Sequence, residues 1–191
     1  MGRITIEIAL ALAKYSPKCF KGDFRPDVSR TYNLINVLYI RRKFSAMYPT
    51  LLHLHSGFRY VVSILLILSI ILSFAGWFGK SAYTEGNRKL NLFTLISAHI
   101  QLLLGLVLYF KSPFVQFNSS TMKTDALRYW TVEHITMMII AIVLITIGHS
   151  KSKKAVLPVA KHKTIAIFYT IALVIIVLAI LASKRSFFGI S

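Results

Sequence analysis

The chain is poor in the residues that most catalytic and disulfide-built proteins depend on. It has one cysteine, Cys19, in 191 residues. No internal disulfide can form, and neither a C-x-x-C thiol pair nor a C-x-x-C-H haem attachment exists. Acidic residues are scarce, six Asp or Glu against 23 Lys or Arg, for a formal net charge of +17. No His-x3-His pair occurs, and a zinc site of three or four close ligands lacks its usual carboxylate and thiolate donors. There is no G-x-S-x-G elbow for a Ser–His–Asp hydrolase and no glycine-rich loop for a nucleotide. The apolar blocks also lack the interruptions and midplane polar clusters of a transporter.

What is abundant is hydrocarbon. Fully 55% of the residues are hydrophobic and the mean hydropathy is +0.64. They gather in four long blocks, about 51–78, 90–110, 129–148 and 164–183. Twenty helical residues rise about 30 Å, enough to cross the hydrocarbon core. In lipid every backbone amide must be satisfied internally, so blocks of this length predict helices, and no alternating ten-residue pattern suggests a barrel. The expected fold is all-α, a four-helix transmembrane bundle in a lipid bilayer. The basic residues flank the blocks, where they meet anionic headgroups. No nucleic-acid-binding pattern appears, so nucleic acid is not an expected partner.

Residues 1–46 stand apart as a basic N-terminal extension with nine Lys or Arg and three acidic residues. Their one apolar stretch, Ile4 to Ala13, is short and broken by Glu7, too short to span and unlike a cleavable signal. Met47 then opens MYPTLLHLHSGFRY, which reads like a natural protein start. One expectation is that translation begins at Met47 and the preceding residues are not made; the other is a basic tail on the membrane surface. The four-span domain is 47–191. The loops 79–89 and 150–163 share one face and carry eight Lys or Arg, against five on the other face once the extension is set aside. That predicts the eight-charge face as cytoplasmic with both termini outside. Counting residues 1–46 reverses the prediction.

Six histidines, His53, His55, His99, His134, His149 and His162, dominate the candidate chemistry. His149 and His162 lie in a basic connection and read as solvated at the membrane edge. Ionisable groups inside spans are costly and mark functional sites by default. His55 in LHLHSGFRY and His134 in WTVEHITMM begin spans that run in the same direction, each roughly 6–8 Å below the same face. Two imidazoles at matched depth on different helices can supply the axial ligands of one haem iron. Arg59 follows His55 by four residues on the same helix face and suits a haem propionate. Glu133 competes for Arg59; an Arg59–Glu133 ion pair with the histidines as polar packing residues is the alternative reading. His99, deeper in span two, and His53, about 200° around the helix from His55, are reserve ligands. Ser97, Gln101 and Gly105 form a small polar stripe that close helix packing would explain.

Together MYPTLLHLHSGFRYVV, AHIQLLLGLVLYF, RYWTVEHITMMIIA and KHKTIAIFYTIAL resemble a group of small bacterial cytochrome b-like membrane proteins, over about residues 47–186. The Gln101–Gly105 and His55–Arg59 patterns are also similar to parts of haem A synthase, whose halves are four-helix bundles with histidine haem ligands. The chain has about half that length, and its Glu133–His134 pair lacks the arginine that follows in that family. The resemblance implies an inner-membrane, multi-pass protein that binds haem b and acts in electron transfer or respiratory-complex assembly, without synthesising haem A. The expected partners are the bilayer and a respiratory-chain or other membrane protein. The alternative is a cofactor-free membrane subunit or scaffold.

Overall fold

In a computed structural model the described residues are 28–119 and 121–183, with side chains described at Asn36 and from Met47 onward. The expectations about the N-terminal extension and a start at Met47 fall mostly outside them. The chain divides into two units, Met1–Lys43 and Phe44–Ser191, and the second holds all four apolar segments. The elements are α1 (Val28–Phe78), α2 (Glu85–Lys111), a single turn α3 (Asp125–Arg128), a π-helical turn (Tyr129–Glu133), α4 (His134–Lys154) and α5 (Pro158–Ala182). No strand occurs among the described residues. The four stretches Met47–Phe78, Glu85–Lys111, Asp125–Lys154 and Pro158–Ala182 are each long and apolar enough to cross a membrane.

The last three helices overrun their apolar blocks because local chemistry, not hydrocarbon thickness, ends them. Thr84 caps α2 by accepting from Asn87 N–H (3.3 Å). Pro158 occupies the first turn of α5, where its missing N–H costs nothing. At the end of α1 the chain turns with Ser81 N–H donating to Gly76 O (3.1 Å) and Lys80 in the left-handed region at φ 51°, a place that favours glycine.

The outer surface is hydrocarbon. Ile64, Ile71, Phe93, Leu103, Val174 and Leu178 are all exposed, a surface that would aggregate in water and is the lipid face of a multi-pass membrane protein. The interior mixes Leu66, Ile145, Ile165 and Tyr169 with small residues such as Ala141, Ala166 and Ala172, all fully buried. Without a hydrophobic drive between helices in lipid, close approach and polar contacts hold them together. The Ser69 and Thr94 hydroxyls meet between α1 and α2 (2.8 Å), with Thr94 also 2.9 Å from Leu90 O. Tyr169 of α5 donates to Asn91 O of α2 (3.2 Å). Between α4 and α5, Gly148 lies flat against Phe168: a Cβ there would come within 2.6 Å of the Phe168 Cβ.

His162 departs from its sequence reading. It is not solvated but 1% exposed. Its ring lies over Gly76, where a Cβ would sit 2.4–2.6 Å from the imidazole, and it meets Tyr83 edge-on at 5.0 Å. The basic charges on either side, Lys161 and Lys163, hid this placement: their ammonium groups lie over Tyr83 and Trp77 and leave the middle residue pointing inward.

Candidate functional site

The sequence spaced His55 and His134 at matched depth, and the structure brings both to the wall of one cavity of about 180 Å³ between α1, α2, α4 and α5. Arg59, Gln101 and Gly105 line it too. The remaining wall is mainly apolar and includes Val62, Met138, Ala141, Ile145 and Ile176.

His55 is placed by α2. Gly105 has no side chain where a Cβ would stand 3.0 Å from His55 Cε1, and this gap accommodates the imidazole. Gln101, one turn before Gly105, donates its amide N–H to His55 O (2.9 Å) and lies 3.3 Å from His55 Nε2. The amide nitrogen must face α1 there, because the carbonyl of His55 can only accept. His55 Nδ1 and Gln101 Oε1 are then buried without a hydrogen-bond partner, each at a cost of about 1–3 kcal/mol. The polar stripe read as helix packing is therefore, at two of its three positions, the seat of His55.

His134 is placed by the π turn. Its backbone N–H donates to Tyr129 O, five residues back. In an α-helix residues five apart point about 140° away from each other; the i→i+5 turn instead stacks them. Tyr129 Oη consequently lies 3.3 Å from His134 Nδ1, and Trp130 packs on the imidazole at 5.3 Å between ring centres. The turn is clamped from α2 and its following loop: Tyr109 donates to Thr131 O (2.8 Å) and Gln116 N–H to Thr131 Oγ1 (3.2 Å).

Arg59 lies with its guanidinium 5.0 Å from the centre of the Tyr60 ring and donates to Tyr60 Oη (3.1 Å). Glu133, the expected competitor for it, has its carboxylate on Arg128 (2.7 Å), which also reaches Asp125 (3.2 Å). Both side chains of the Arg128–Glu133 pair are about two-fifths exposed, and such a pair contributes only about 0–1 kcal/mol.

The two reserve ligands are not brought to the cavity. His53 is exposed on α1. His99 is exposed on the outer face of α2, where its Nδ1–H donates to Leu95 O (2.8 Å). Among the described residues no cluster of three or more His, Cys, Asp or Glu side chains could hold a metal ion; the cavity offers two imidazoles, a donor set that suits a planar tetrapyrrole metal, which brings its own four nitrogens, better than a bare cation. Tyr129 and Trp130 open the third apolar block of the sequence, and neither they nor Tyr109 was singled out there as a site residue. No protein-family model, curated protein or solved structure matches the chain.

Proposed function

We propose that the protein holds haem b in this cavity and serves electron transfer or respiratory-complex assembly in the inner membrane. One observation carries the reading: His55 and His134, from separate helices, line a single apolar cavity with Arg59 on its wall. When bound, haem would supply one-electron chemistry between its ferric and ferrous states. The chain's own residues bind and orient. His55 and His134 would hold the group's iron, and Arg59 would take a propionate by charge-assisted hydrogen bonds. Gly105 keeps space open for the His55 ring. The 3.3 Å contact from the Gln101 amide is the weak bond that His55 Nε2 would exchange for the ligand. The aliphatic walls exclude water and so set the surroundings of the iron. The likeness of residues 47–186 to cytochrome b-like proteins points the same way, and a respiratory-chain membrane protein is the corresponding partner.

The test is optical. Full-length protein expressed with ample haem and purified in detergent should show a Soret band, with a split α/β pattern on reduction. His55→Ala and His134→Ala should each lose at least most of the retained haem. A correctly folded protein with no Soret band overturns the reading and leaves a cofactor-free membrane subunit in its place.

A further inference from the structure

We infer that Tyr129 is a positioning residue that fixes the tautomer of His134 and makes Nε2 its ligating atom. A tyrosine hydroxyl has one proton to give. The Tyr129 hydroxyl is in hydrogen-bond contact with Ala179 O of α5, and a carbonyl only accepts, so the proton goes there. The second contact of the same oxygen, 3.3 Å to His134 Nδ1, then has its proton on the imidazole: Nδ1–H donates to Oη. A neutral imidazole protonated on Nδ1 has its lone pair on Nε2. The relay runs from the α5 backbone through Tyr129 to the first residue of α4, and each link is held. Tyr129 is 5% exposed and Ala179 fully buried. Trp130 meets the Tyr129 ring edge-on at 4.8 Å. The π turn stacks positions 129 and 134 through the His134 N–H to Tyr129 O bond.

A metal-bound histidine normally needs its distal nitrogen anchored by such an acceptor, which sets ring orientation and raises ligand basicity. Here the acceptor is a phenol oxygen whose own proton is spoken for, so it cannot offer that proton to Nδ1 and favour the other tautomer. The inference rests on the haem reading only for the use made of Nε2; the tautomer itself is a property of the protein alone.

It is tested without haem. Full-length protein carrying ¹⁵N-histidine, reconstituted in phosphatidylcholine nanodiscs, gives well-separated ring-nitrogen resonances for protonated and unprotonated nitrogens. His134 is assigned by its loss in His134→Gln. The expected result is a protonated Nδ1 and an unprotonated Nε2, with Tyr129→Phe converting this single form into a mixture in which Nε2 carries the proton in a large share of molecules. A wild-type His134 protonated on Nε2 overturns the inference, and needs no variant to fold. So does a Tyr129→Phe protein whose His134 signals are unchanged. A missing Soret band in haem-supplied protein would defeat the haem reading while leaving these spectra as they are, so the two failures are distinguishable.

Discussion

At the residue scale, two glycines do similar steric work with different consequences. Gly105→Ala puts a methyl 3.0 Å from His55 Cε1, and Gly76→Ala puts one 2.4–2.6 Å from the His162 ring. Overpacking of this kind costs about 1–3 kcal/mol. Both variants should unfold earlier in detergent titrations followed by tryptophan fluorescence. If haem is held as proposed, only Gly105→Ala should also weaken its retention, because only it displaces a cavity imidazole; equal retention in the two variants would count against His55 as a ligand. His99→Leu is expected to leave the absorption spectrum unchanged, since the imidazole lies outside the cavity. His55, Arg59 and His134 were legible because ionisable groups are rare in apolar blocks and their depth follows from a 1.5 Å rise. His99 does not reach the cavity; depth says nothing about azimuth. In a helix that is apolar all round no stripe marks the inward face, so the direction of a lone histidine has to come from packing.

At the scale of elements, the ends of helices are the weak part of a reading from hydropathy, since an apolar block measures the bilayer and a cap measures the helix. Lys80 shows what that leaves out: its left-handed backbone, which no composition reveals, costs a side chain about 1–2 kcal/mol. Lys80→Gly should therefore stabilise the protein by up to about 1 kcal/mol, after the entropy a glycine adds to the unfolded chain, as a later midpoint in the same titration. The Ser69–Thr94 contact is a second element-scale case. Thr94→Val keeps the shape and strands the Ser69 hydroxyl between α1 and α2. Interhelical hydrogen bonds in membranes contribute about 0.6 kcal/mol on average, and a loss of that order is expected, with no change in any cavity property. The π turn was invisible beforehand, because one extra residue in a turn leaves no mark in a pattern of apolar side chains.

At the scale of the whole molecule, four spans were readable from the sequence because the cost of bare amides in hydrocarbon permits little else. How the helices neighbour one another was not readable, as their lipid faces and mutual faces are equally apolar. Orientation follows from charge. In a Cys19→Ser background, Lys153→Cys should resist a membrane-impermeant maleimide in intact cells and Asn118→Cys should react; the reverse pattern would mean that residues 1–46 set the topology.

The winding of the chain near residue 131 is itself a structural quantity. If the five residues closed into ordinary α geometry with none removed, the helix would keep its backbone hydrogen bonds and its hydrophobicity. Everything before the turn would then be rotated by about 100° against everything after it. Such a protein would still insert and still be helical, yet its tyrosine and histidine would face different neighbours. A census of composition would find the two forms identical; what separates them is a phase.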